Sequence, residues 1–206
     1  MNVLINKMVS VVNHLFPFSA RYFGKIIDKP GTIRPMFRYI QQNYNIGLIG
    51  VEVGVDQGIN AKNILNSLKN IEQLYLVDPY KGFDYKTYDG IHHRNRKVSR
   101  SHMDDAVRNL KEHKDRIEFV VETSHQASKK LSDKVFDFVY IDGMHDYTNV
   151  LNDCDDWYPL VRTGGILGGH DFVGSHKDLQ KAVKQFSNIH TLKLFISPPD
   201  WWVIKK

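Results

Sequence analysis

Apolar side chains recur at three- and four-residue intervals at the start of the chain. Met1, Leu4, Ile5, Met8, Val11, Val12 and Leu15 make one stripe, so residues 2–16 read as an amphipathic helix. The stretch "DKPGT" (28–32) breaks the pattern, and Ile33, Met36, Phe37, Ile40 and Tyr44 mark a second helix. From residue 47 onward, short apolar runs alternate with helical stripes. "LIGVEVG", "QLYLVD", "RIEFVV", "FDFVYID" and "GGILGGHD" read as strands. Between them stand the stripes Ala61-Ile64-Leu65-Leu68 and Met103-Ala106-Val107-Leu110, a short helix near 126–131, and Val150-Cys154-Trp157. Leu179, Ala182, Val183 and Phe186 give a last helix. "TLKLFI", a "SPPD" turn and "WWVIKK" close the chain as an antiparallel hairpin.

Strands that alternate with helices imply an α/β fold: a doubly wound, mostly parallel sheet with helices on both faces. Ligands of such sheets bind beyond the carboxyl ends of the strands. The division expected is an N-terminal helix and linker over 1–30, serving as a cap or for oligomerisation, and one domain over 31–206. The segment 81–102, "KGFDYKTYDGIHHRNRKVSRSH", fits no element; its aromatic, imidazole and basic groups suit a cover over a ligand or a solvated loop.

At 206 residues the chain suffices for a single substantial core. Its net charge of +5 is mild, and Lys and Arg scattered over a solvated surface explain it without a nucleic-acid partner. Cys154 stands alone, which excludes an intrachain disulfide framework and a cysteine zinc site, and makes a reducing, cytoplasmic setting the expectation. No apolar run approaches the ~20 residues of a membrane span. Asn6, Lys7 and Asn13 interrupt the N-terminus, which does not read as a signal peptide.

The chemistry sits at the strand ends. Glu52, Gly54 and Gly58 form E-x-G-x-x-x-G between a strand and a helix, where glycines allow a sharp turn and close approach to a ligand. Dinucleotide folds carry G-x-G-x-x-G there; an acid in place of the first glycine suits a cationic ligand group better than a pyrophosphate. Asp78 ends the next strand, where an acid can accept ribose hydroxyls. The strand "FVYI" ends on Asp142 with His145 three residues on, and the following strand ends on His170-Asp171.

Together these motifs resemble class I S-adenosylmethionine-dependent methyltransferases over residues 33 to 206. The likeness is closest to the small-molecule O-methyltransferase branch, which includes the sugar, macrolide and catechol-like enzymes. It implies a Rossmann-like, seven-stranded sheet with an antiparallel last pair. It further implies that the Gly54–Gly58 loop cradles the methionine moiety, with Glu52 beside it, and that Asp78 holds the ribose. Ser124 and His125 fall where the family lines the adenine, with helix capping and solvation as their alternative roles. Asp142, His170 and Asp171 match positions that bind Mg²⁺ in metal-dependent relatives, and His145 falls where those have a lysine base. His170 replaces a carboxylate, which makes Mn²⁺, or no metal at all, a real alternative to Mg²⁺. The expected activity is methyl transfer to a hydroxyl of a sugar, polyketide or phenol. His145 would act as base there and Asp142 would line both the cofactor and the reacting oxygen.

Three rivals remain. A nucleic-acid methyltransferase draws on "SPPD" (197–200), which resembles [DN]PP[YF] but lies in the wrong strand. A nicotinamide oxidoreductase lacks its glycine pattern. A noncatalytic scaffold would keep the fold and assemble, as a homodimer, through the N-terminal helix.

Overall fold

A computed structural model of the chain describes residues 31–80 and 100–206. The N-terminal stripe, the dimer expected through it, and most of the polar 81–102 segment lie outside these residues.

Seven strands form one sheet: β1 (Leu48–Val53), β2 (Ile71–Val77), β3 (Ile117–Val120), β4 (Phe136–Ile141), β5 (Val161–Gly169), β6 (Leu194–Ser197) and β7 (Asp200–Ile204). Their order is β3-β2-β1-β4-β5-β7-β6. The first five pair in parallel, and β7 runs antiparallel to both β5 and β6. The expected hairpin is present, with its second strand inserted beside β5. The α-helices among the described residues are α1 (Pro35–Asn43), α2 (Ile59–Ser67), α3 (Arg100–Leu110), α4 (Ser124–Lys130), α5 (Tyr147–Trp157) and α6 (Lys177–Ile189).

The helices divide between two faces because each carries one apolar stripe. Met36, Phe37 and Ile40 of α1, Ala61, Ile64 and Leu65 of α2, and Ala106 and Leu110 of α3 pack on Phe138, Tyr140, Ile166 and Trp202. Across the sheet, Ala127 of α4, Val150, Cys154 and Trp157 of α5, and Leu179, Val183 and Phe186 of α6 pack on Val139, Ile141, Leu167, Trp201 and Val203. Consecutive strand residues thus serve opposite cores, as the pleat requires. Val107, read as part of the α3 stripe, is 48% exposed instead, so that helix docks on a narrower strip of its surface. β5 also begins three residues before the predicted "GGILGGHD".

Helix starts are set locally. Pro35 opens α1, where its missing N–H costs nothing. Thr123, not Ser124, caps α4, in a reciprocal pair with Gln126. Asp146 accepts the Asn149 N–H at 3.1 Å and caps α5, which leaves the neighbouring His145 at the helix mouth.

Parallel pairing brings the carboxyl ends of β1, β4 and β5 to one rim, with Val53 opposite Ile141 and Ile141 opposite Gly169. Gly54 follows at φ 89°, and a Cβ there would lie 2.3 Å from the Asp142 carbonyl oxygen. Gly54→Ala should therefore destabilise the fold by about 2 kcal/mol or more. Gly174→Ala, where nothing stands within 4 Å of an added Cβ, should stay within about 0.5 kcal/mol of the parent. Urea unfolding of the two variants checks the contrast, and equal midpoints would contradict it.

Candidate active site

The loop after β1 is pinned from two sides. Asp78, at the end of β2, accepts the N–H groups of Val55 and Asp56 on one oxygen, both at 3.0 Å, and that of Tyr80 on the other at 2.9 Å. Asp78 thus shapes the glycine loop; both lone pairs of Oδ2 are engaged, and Oδ1 keeps one for a further donor. From the other side, α3 closes on the loop. His102 pairs with Asp56, Asn109 donates to the Gln57 carbonyl at 2.9 Å, and a Cβ on Gly58 (φ 74°) would press on Leu110 and Ala106. The last residues of the unassigned 81–102 segment are therefore the start of a helix that braces the loop.

Glu52 is fully buried beneath this loop. Asn60 donates to its Oε1 at 2.6 Å, while Oε2 has no hydrogen-bond partner. Burial is the main reason its carboxyl is pushed up to about 8; the Asn60 bond opposes the rise, and the Asp142 charge reinforces it. A buried acid with one unpartnered oxygen is a receptor for a donor, and a cationic donor would hold it ionised.

Beyond β4 and β5 stand the other expected residues. Asp142 Oδ2 accepts from Arg34 Nη1 at 2.8 Å, and its Oδ1 lies 3.7 Å from His170 Nδ1. Asp171 takes a left-handed conformation, φ 61°, tolerable for Asp, and straddles two imidazoles. Its Oδ1 is 3.1 Å from His170 Nδ1 and its Oδ2 is 2.9 Å from His145 Nε2. Burial pulls both imidazoles toward neutrality, but hydrogen bonding to Asp171 and the Asp142 and Asp171 charges outweigh it and raise both. Burial likewise favours the neutral Asp171 carboxyl, and the two imidazoles override it and drive Asp171 well below the usual carboxylate range. One ligand atom each from Asp142, His170 and Asp171 lies within 4.8 Å of the others.

Sequence reasoning missed the groups behind this rim. Arg34 bonds the Tyr140 hydroxyl at 2.8 Å as well as Asp142; that hydroxyl donates to Asp200 Oδ1 at 2.9 Å, and Asp200 Oδ2 accepts the Met36 N–H at 2.9 Å. "SPPD" is indeed a turn, but its Asp is fully buried and holds the start of α1 in place. An Arg before a helix or an Asp at the start of a strand, far from the motifs, carries no local signal for such a network; only the burial of Tyr140 in an apolar strand, with a hydroxyl that needs a partner, hints at it.

The two residues matched to the adenine are occupied differently. Ser124 accepts the Trp157 indole N–H at 2.9 Å and bonds Asp153, whose carboxyl burial raises to about 7. His125 is largely exposed, its Nδ1 2.8 Å from Asp156.

One family model, described as a methyltransferase domain, matches residues 51–172, more than half of the chain. No curated protein matches the sequence. Solved structures with a similar fold include the O-methyltransferase NovP, 18% identical over 83% of this chain and 79% of that one, TM-score 0.61. CalS11, a calicheamicin methyltransferase, is 13% identical over 82% of this chain and 75% of that one, TM-score 0.64. MycE, a methyltransferase from the mycinamycin biosynthetic pathway, was solved in complex with Mg and SAH; it is 17% identical over 82% of this chain and 48% of that one, TM-score 0.55.

Glu52 makes stability pH-dependent. Its folded pKa, about 8, lies above the ordinary value of 4.5, so its contribution is complete below 4.5 and is lost as pH rises through 8. Each unit of that displacement is worth about 1.4 kcal/mol. The melting temperature of Glu52→Gln should gain several degrees on the parent between about pH 5 and pH 8 and level off above. A difference that does not vary with pH would contradict a neutral, buried Glu52.

Proposed function

This chain belongs to the methyltransferase-domain family, and we propose that it moves a methyl group from S-adenosylmethionine to a hydroxyl of a small molecule. The observation that carries this reading is the abutment of Gly54 on Asp142, because it gives the glycine loop and the acid–imidazole cluster one shared rim. Bound there, S-adenosylmethionine would supply an electrophilic methyl on a sulfonium, whose C–S bond pair returns to sulfur as the acceptor oxygen attacks. Glu52 Oε2, unpartnered and buried, would receive the methionine ammonium and lose its own proton in doing so. Asp78 would take a ribose hydroxyl on the remaining lone pair of Oδ1, and Ser124 and His125 would border the base.

His145 would accept the hydroxyl proton. Asp171 holds its ring by Nε2, and, against burial, the neighbouring Asp171 and Asp142 charges raise its pKa, which makes it a stronger base. Arg34 fixes Asp142 at the point where the acceptor oxygen must stand.

Asp142, His170 and Asp171 fit a divalent ion that accepts mixed oxygen and nitrogen donors. Two carboxylates suit Mg²⁺ or Mn²⁺, and the imidazole favours Mn²⁺ of the two. The Arg34 guanidinium already neutralises one Asp142 oxygen, so the ion would share that carboxylate. When bound it would make a nearby hydroxyl more acidic. An acceptor of sugar, polyketide or phenol type is in keeping with the printed roles of CalS11 and MycE. Among the described residues no helix is long and apolar enough to cross a membrane. A cytoplasmic setting and a homodimer through residues 2–16 complete the reading.

Calorimetry should show S-adenosylhomocysteine binding with release of a proton from Glu52, and Asp78→Ala should weaken it at least about tenfold. Binding of NADH in its place would overturn the assignment. With an acceptor in hand, His145→Ala should lower kcat by about a hundredfold or more and leave cofactor affinity within a few-fold. The parent kcat should rise with pH along a limb above the ordinary imidazole value of 6.5. Loss of turnover in EDTA, restored by Mn²⁺, is the expected signature of the ion; full activity in chelator would remove it from the mechanism.

A further inference from the structure

A second constellation stands at the same rim. One ligand atom each from His145, Asp171 and His176 lies within 4.8 Å of the others. His176 belongs to none of the motifs, and the backbone brings it there. After β5 the chain folds back: the Phe172 N–H reaches the Pro199 carbonyl at 2.8 Å, the Val173 N–H reaches Asp171 at 2.7 Å, and the His176 N–H reaches Val173 at 3.0 Å. Gln180 of α6 donates to the Val173 carbonyl at 2.6 Å and locks the hook to the helix. The rings of His145 and His176 then meet edge-on, 4.9 Å between centroids.

We propose that His145, Asp171 and His176 bind one transition-metal ion of the zinc class, at a site that shares only Asp171 with the oxygen-rich set Asp142–His170–Asp171. Two imidazoles and one carboxylate are a donor set that zinc prefers and magnesium does not. Ligand atoms on a tetrahedral zinc stand about 3.3–3.5 Å apart, since Zn–N and Zn–O bonds are about 2.0–2.1 Å. His145 Nε2 and Asp171 Oδ2, at 2.9 Å, need to part by only a few tenths of an ångström to reach that spacing, and a His176 ring nitrogen lies within 4.8 Å of a ligand atom of each residue. Ser175 Oγ stands 3.2 Å from His176 Nδ1, where a hydroxyl can orient the ring from behind. The three ligands leave a fourth position for water, the open geometry of a zinc site that is not purely structural. Asp171 belongs to both sets, with Oδ2 toward His145 and Oδ1 toward His170.

One consequence rests on the methyltransferase reading. An imidazole held by zinc has no free lone pair for the acceptor's proton, so zinc occupancy withdraws His145 as base. The glycine loop and Asp78 are untouched. Zinc at this site is a reversible block on methyl transfer that leaves cofactor binding in place.

The test is a titration of the metal-free full chain with Zn²⁺ by calorimetry, and with Co²⁺ by visible absorption, which reports tetrahedral coordination. The parent should bind one Zn²⁺ per chain and develop the intense Co²⁺ bands. His176→Ala should weaken Zn²⁺ at least about tenfold and abolish those bands. Asp142→Asn, which alters only the other set, should bind Zn²⁺ within a few-fold of the parent. No Zn²⁺ binding by the parent, unchanged affinity in His176→Ala, or loss of binding in Asp142→Asn would each overturn the site. S-adenosylhomocysteine binding, read on the same samples, addresses the methyltransferase reading separately. Its absence from the parent would sink that reading whatever zinc does, whereas a parent that binds S-adenosylhomocysteine but takes up no added Zn²⁺ would sink the metal site alone.

Discussion

Where β1 leaves the sheet, its backbone runs against the carbonyl of Asp142 at the end of β4, with no room for a side chain between them. Everything at the rim follows from that closeness. Parallel pairing aligns the strand ends, and a glycine at φ 89° lets one turn outward without pushing its neighbour away. A larger residue would separate the buried Glu52 loop from the Asp142 cluster, and the two would no longer face one volume.

The rim concentrates acid. Glu52, Asp78, Asp142, Asp171 and Asp200 converge there from β1, β2, β4, β5 and the terminal hairpin. Such a group is held together only because each carboxylate is answered differently. Asp78 is answered by backbone N–H groups, Asp142 by Arg34, and Asp171 by two imidazoles. Glu52 and Asp200 are buried enough that their carboxyls rise to about 8 and about 6. Unequal environments set neighbouring acids apart: burial favours a neutral Glu52, while an ionised Asp171 raises the basicity of its two imidazoles.

Much of this was legible beforehand, for a physical reason. Strand and helix periodicities are local, so "LIGVEVG", "FDFVYID" and the Ala61–Leu68 stripe became the elements they promised. Strand-end residues inherit their place from the fold, which brought Asp142, His145, His170 and Asp171 together as expected. What the pattern could not carry was contact across long sequence separations. Arg34 meets Tyr140 and Asp142 from more than a hundred residues away, and Asp200 was legible only as part of a turn. His176 escaped notice because a two-turn hook, not a period, brings it back to the rim. Val107 failed for the opposite reason: it has the right spacing for a stripe that the packed helix does not bury.

The central claim is that cofactor loop and acid–imidazole cluster open onto one cavity. A crystal structure of the chain with S-adenosylhomocysteine tests it most directly. The account predicts the homocysteine amino group against Glu52, the ribose on Asp78 and the sulfur facing Asp142 and His145. A ligand whose sulfur points away from β4 and β5, or one seated elsewhere on the sheet, would contradict it.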